Sequence, residues 1–127
     1  MSDFRTQAKR VRGLGSAKDG TVHFWRQRLT AMANIPLLLF FVGFIVSLNG
    51  ASHEEVIAAV SHPLTAIALI AVIGSALIHM KLGMQVAIED YIHGEGAKVI
   101  MLFLNAAFAY GVGLITVFAI LKISFGA

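Results

Sequence analysis

The sequence predicts an all-α membrane protein of three transmembrane helices, with its N-terminus cytoplasmic and its C-terminus periplasmic. Three observations carry this. The chain has 127 residues, 57% of them hydrophobic and only 13% charged, which is more apolar surface than a soluble domain of this size buries. Three uncharged stretches, about 29–48, 63–80 and 99–121, approach or exceed the ~20 residues that cross a hydrocarbon core at 1.5 Å per residue. Seven of the ten Lys and Arg residues lie between Arg5 and Arg28, ahead of the first stretch, the bias that holds a flank on the cytoplasmic side.

Two regions follow from these patterns. Residues 1–20 read as a polar, glycine-punctuated basic arm on the cytoplasmic side, and residues 21–127 as a membrane anchor domain with helices over about 25–48, 63–91 and 97–122. Trp25 suits the headgroup level, with Arg26 and Arg28 beside it. Pro36 stands inside the first span as a candidate kink, and Asn49-Gly50 ends that span. The connection 51–62 carries Glu54 and Glu55 and no Lys or Arg. Pro63 is a favourable first residue for the second helix, which continues past Met80 into an amphipathic end at Tyr91. Residues 92–97 form a short loop. Lys81 and Lys98 flank it, Lys122 alone follows the third span, and this distribution sets the orientation. The first hydrophobic stretch is too long for a cleavable signal peptide.

The chain contains no cysteine, which excludes disulfides, thiolate metal sites and a cysteine nucleophile. Any metal is held by histidine, carboxylate or methionine, or arrives inside a cofactor.

Polar groups within a span are costly and face protein, cofactor or water. His79 is the foremost case. Ser75, His79 and Gly83 follow i, i+4, i+8, and Asp90 lies eleven residues on, close to three turns and so on nearly the same face. Small residues one turn above and below the imidazole leave a flat space. A haem needs such a space, and its iron is often held by a histidine nitrogen. An interhelical hydrogen bond with close helix packing is the alternative that spacing leaves open. A six-coordinate haem needs two ligands, and no second histidine lies at membrane depth. His23 is near the interface, His53 and His62 are in the first connection, and His93 is in the second. A second ligand would come from another chain.

Other polar residues carry paired readings. Lys81, Gln85 and Glu89 form a second stripe, read either as a solvated helix end or as a partner contact. Tyr91 could donate to a quinone carbonyl with Asp90 orienting it, or serve as an interfacial anchor. Arg28 and His23 lie on one side of the membrane, where a guanidinium suits a propionate or phosphate. Arg26 reads as a positive-inside anchor. Asn105, Ala109 and Gly113 form a small-residue packing stripe on the third span.

The segment His79-Met-Lys-Leu-Gly83-Met-Gln-Val-Ala-Ile-Glu-Asp90-Tyr91 resembles the signature of the small hydrophobic membrane anchor of bacterial succinate dehydrogenase, respiratory complex II, in an alpha-proteobacterial style. The run Trp25-Arg-Gln-Arg28-Leu-Thr-Ala ahead of the first span fits as well, and the likeness covers about residues 14–127. The sister anchor, the cytochrome b556 subunit, has an Arg-Pro start and a His-Arg-x-Thr-Gly motif, and neither occurs here. The resemblance implies a non-catalytic subunit of succinate:ubiquinone oxidoreductase in the bacterial inner membrane. His79 would be one axial ligand of haem b, and Asp90 and Tyr91 would contact ubiquinone. Arg28 and His23 would lie near the haem propionates. The implied partners are the cytochrome b556 anchor subunit, the iron–sulfur subunit and the flavoprotein subunit. The rival readings are the anchor of a quinol:fumarate reductase and a non-haem structural or transport protein. A transporter is expected to show repeats or paired broken helices, which three unequal spans do not.

Overall fold

The computed structural model describes residues 17–126. The expected basic arm therefore lies, up to residue 16, outside the described residues. Four helices follow in order: α1 (Ala17–Ser47), α2 (His53–Ser61), α3 (Pro63–Tyr91) and α4 (Glu95–Ser124). Three of them are long and apolar enough to span a membrane, over Gly20–Ser47, Pro63–Tyr91 and Glu95–Ser124.

The α3 limits match those expected. The first span starts earlier: α1 is already helical at Ala17, through Gly20, rather than from about 25. One glycine costs a helix only about 1 kcal/mol, and His23 in the added turns packs toward α3 (below). α1 also runs through Pro36 without a break. It ends in a turn in which Asn49 N–H donates to the Val46 carbonyl at 3.1 Å and Ala51 N–H to that of Leu48 at 3.0 Å. Gly50 at φ +80° makes this reversal, a backbone region that side chains disfavour.

The connection after Gly50 contains a helix that the hydropathy pattern did not announce. Ser52 caps α2: its Oγ accepts from Glu55 N–H at 3.3 Å, while Glu55 Oε2 accepts from Ser52 N–H at 2.7 Å. This is a capping box, satisfying two orphan donors at once. Hydrogen bonding of the Ser52 backbone N–H, and then of its side chain, to the Glu55 carboxyl holds that group below its usual pKa. His62 closes α2 and opens α3, with Pro63 in the first turn.

α3 is the middle of the molecule. It packs against α1 on one side and α4 on the other, while α1 and α4 do not pack on each other among the described residues. α2 folds back over the ends of α3 and α4, where Ser61 Oγ lies 2.7 Å from the Ile57 carbonyl oxygen of its own helix and 3.2 Å from that of Ile123. Ala66, Leu69 and Ile120 form the buried cluster at this end, with Phe41 and Phe44 of α1 against it. The outward faces are apolar: Leu39, Phe103, Leu114 and Ile115 are each at least 70% exposed. Surface of this kind is solvated by lipid or covered by other membrane helices.

The α3–α4 seam bears out the packing stripe. Asn105 Nδ2 donates to the Lys81 carbonyl at 2.9 Å. Ala109 is buried, and a Cβ on Gly113 would stand 3.4 Å from Leu77 Cδ1.

Candidate functional site

The α1–α3 seam is polar in its N-terminal half of α1. His23, Gln27, Thr30 and Asn34 follow a 4-3-4 spacing, which places them on one face of α1. Each meets α3. His23 lines a cleft of about 500 Å³ with Leu82, Gln85 and Glu89. The Gln27 amide nitrogen lies 3.4 Å from where a Cβ on Gly83 would stand. Asn34 lines a cavity of about 240 Å³ with Val72 and Ala76.

Thr30 meets His79. Its Oγ1 lies 3.1 Å from His79 Nδ1, 2.8 Å from the Arg26 carbonyl oxygen and 3.0 Å from that of Gln27. The imidazole is half-buried. Its other nitrogen, Nε2, has no hydrogen-bond partner among the described residues, and it is not among the buried unpartnered atoms, so it reaches the surface of the chain. The ring is thus held at one nitrogen by this chain and open at the other.

The small residues flanking His79 have different surroundings. Gly83 lets the Gln27 side chain approach, so on the α1 side its space is filled by a neighbour and not left flat. Ser75, one turn the other way, has its Oγ buried without a partner, as are His23 Nε2 and Gln27 Oε1. These three atoms and the Thr30–His79 pair belong to residues of a single seam. Buried polar atoms of this kind are satisfied by water or a ligand in the assembled state. Among the described residues no three His, Asp or Glu side chains gather to hold a bare metal ion, so His79 stands as a single donor.

The second polar stripe of α3 resolves into intrachain contacts. Lys81 Nζ lies 5.3 Å from the centre of the Tyr110 ring, a cation–π contact. Gln85 Nε2 donates to Glu89 Oε1 at 2.9 Å. Arg26, read from the sequence as an anchor, lines the His23 cleft and also a groove of about 370 Å³ with Thr30, Lys81 and Tyr110. Arg28 does not join His23. Five residues on a helix turn through about 140°, and the Arg28 guanidinium sits 4.8 Å from the Phe24 ring centre on the exposed side.

Asp90 and Tyr91 end α3, eleven residues or ~16 Å along the axis from His79. Both are exposed, Tyr91 by 79%, and neither side chain has a partner among the described residues.

Residues 2–119 match the family described as succinate dehydrogenase/fumarate reductase transmembrane subunit. The chain belongs to that family. Within it, a succinate dehydrogenase hydrophobic membrane anchor subunit from Paracoccus denitrificans is 31% identical over 124 residues, 96% of this chain and 94% of that protein. A protein of the same name from Rickettsia bellii is 34% identical over 90 residues, 71% of this chain and 72% of that one. A succinate dehydrogenase membrane anchor subunit from Reclinomonas americana is 29% identical over 90 residues, 68% and 75% of the two chains. No solved structure matches significantly. These relatives bear out the resemblance to the hydrophobic membrane anchors of succinate dehydrogenase, and the three apolar helices make the chain a multi-pass membrane protein.

The sequence reading missed Gln27, Thr30 and Asn34. The signal was present in their 4-3-4 spacing with His23, which marks one polar face on an otherwise apolar helix.

Proposed function

We propose that this chain is the hydrophobic membrane anchor of a succinate:ubiquinone oxidoreductase in a bacterial inner membrane, with its N-terminus cytoplasmic and its C-terminus periplasmic. The observation that carries the reading is the pair of unsatisfied sites on α3: a histidine nitrogen open at the surface within the span, and an exposed Asp90-Tyr91 pair at the helix end, in a chain whose relatives are named as this anchor.

In this reading a flavoprotein subunit oxidises succinate to fumarate, and an iron–sulfur subunit passes the electrons to ubiquinone. Ubiquinone takes up two electrons and two protons. Tyr91 donates a hydrogen bond from its hydroxyl to a quinone carbonyl, and Asp90 orients that hydroxyl or relays a proton. Both side chains lack partners among the described residues, as groups completed by another subunit and a substrate should.

His79 fits an axial ligand of haem b. It is a single imidazole at membrane depth, anchored at Nδ1 and open at Nε2. Haem b, when bound, would supply one-electron transfer. A further protein ligand to it would come from the cytochrome b556 subunit. Arg28, and less directly His23, would donate to the haem propionates from the N-terminal end of α1. The apolar outer faces of α1 and α4 bind lipid and the sister anchor, and the polar end of α3 docks the iron–sulfur subunit.

Purification of the chain from its native membrane tests the reading. A flavoprotein, an iron–sulfur protein and a second small anchor are expected to co-purify in equal amounts, with succinate–ubiquinone reductase activity. Isolation without them contradicts it. The names of the relatives favour the succinate dehydrogenase direction over a quinol:fumarate reductase anchor.

A further inference from the structure

A threonine hydroxyl has one proton and two lone pairs. Thr30 Oγ1 stands within hydrogen-bond distance of three atoms: the Arg26 carbonyl oxygen at 2.8 Å, the Gln27 carbonyl oxygen at 3.0 Å and His79 Nδ1 at 3.1 Å. The two carbonyl oxygens can only accept. The hydroxyl proton therefore points back along α1, a common arrangement for a threonine inside a helix. Its lone pairs are then what Nδ1 meets. A bare nitrogen lone pair there would face oxygen lone pairs, so Nδ1 carries the proton and donates it to Thr30. The neutral imidazole then has its lone pair on Nε2, the nitrogen that reaches the surface.

We infer that Thr30 is the positioning residue of the haem ligand: it selects the His79 tautomer whose Nε2 is free for iron and fixes the plane of the ring. The inference rests on the reading of His79 as an axial ligand. It adds to that reading a role for the first span behind the histidine, beside the propionate contacts proposed for His23 and Arg28. A hydrogen-bond acceptor behind a ligating imidazole increases its donor strength, and loss of such a partner typically weakens binding by about 10–100-fold. A stronger donor also favours ferric over ferrous iron, so removal of the acceptor should move the haem midpoint potential upward.

The test uses the complete membrane complex carrying Thr30→Val, Thr30→Ala or Thr30→Ser, beside wild type and His79→Ala. Haem per flavin, the haem midpoint potential and the electron paramagnetic resonance g-values of the ferric haem are measured. Thr30→Val keeps the shape and loses the hydroxyl, Thr30→Ala loses the hydroxyl without demanding the same fit, and Thr30→Ser keeps the hydroxyl. Val and Ala are expected to shift the g-values, raise the potential and release haem more readily, with Ser close to wild type. Wild-type behaviour in both Val and Ala overturns the inference. So does a Ser variant displaced as far as Val and Ala, since the effect would then be one of shape. If His79→Ala retains the wild-type haem signal, the ligand reading itself falls. If His79→Ala loses the haem while Val and Ala leave it unchanged, only the role of Thr30 falls.

Discussion

Thr30 and His79, forty-nine residues apart in the chain, meet at 3.1 Å through Oγ1 and Nδ1. The contact joins α1 to α3 at the level where His79 would otherwise be an unsatisfied polar group in lipid. It also leaves the imidazole with one nitrogen committed and one open, which gives the histidine a direction.

Gly83 faces Gln27 across this seam. A Cβ there would meet the Gln27 amide nitrogen at 3.4 Å, a contact that a flexible amide can yield to. Gly83→Ala should therefore assemble with little loss. Gly83→Leu should force α1 away from α3 at a cost of about 1–3 kcal/mol, the range for overpacking. Thermal unfolding of the purified complex, followed through its haem absorbance, distinguishes the two. Equal stability of both variants would remove Gly83 from the seam.

Tyr91 is 79% exposed and unpartnered among the described residues. Tyr91→Phe should lower succinate–ubiquinone reduction by about 10²-fold or more, the range for a positioned proton donor. Succinate oxidation measured with an artificial dye should be unchanged, since that assay does not draw on the quinone site. Parallel losses in both assays would indicate a defect in assembly instead of in the quinone site.

Asn105 ties α4 to α3 through the Lys81 carbonyl at 2.9 Å. Interhelical hydrogen bonds in membranes contribute on average about 0.6 kcal/mol. Asn105→Leu should accordingly lower the thermal midpoint of the complex only slightly and leave the haem spectrum intact. A changed spectrum would mean that the α3–α4 seam reaches the cofactor.

The Ser52–Glu55 capping box predicts a pH effect confined to α2. The folded-state pKa of Glu55 is lowered by its bonds to Ser52, so the stabilisation is present above the unfolded-state pKa and is lost as pH falls through the lowered folded value. The protection of amides at the start of α2, measured as exchange relative to the intrinsic rate at each pH, should fall as the pH falls through that range, and Glu55→Gln should abolish this dependence. Ser52→Ala should weaken the helix by about 1 kcal/mol.

The spans were legible in the sequence because lipid imposes long uncharged runs, and Pro63 and Tyr91 bounded α3 as expected. The short α2 was hidden by its place in a polar connection, although Ser52-x-x-Glu55 before Val56 and Ile57 carried its signature. What composition could not give was the choice of face. Periodicity put Ser75, His79 and Gly83 in one stripe, but not which neighbour would cover it. Gln27 and Thr30 of α1 do so, while α4 takes the opposite side with Leu77 and Lys81. Thr30 escaped notice because a threonine satisfied by its own helix costs little in a membrane and so leaves no mark in the hydropathy pattern. Arg26 and Arg28 have the same charge and depth, and only the helix phase separates the one in the groove from the one on the outside.

The central claim is that His79 offers its open nitrogen to a haem. The most direct test is the optical spectrum of the dithionite-reduced complex purified with wild-type chain and with His79→Ala. The account predicts a b-type haem signal in the first and its loss or conversion to a high-spin form in the second. An unchanged b-type spectrum in the His79→Ala complex would contradict it.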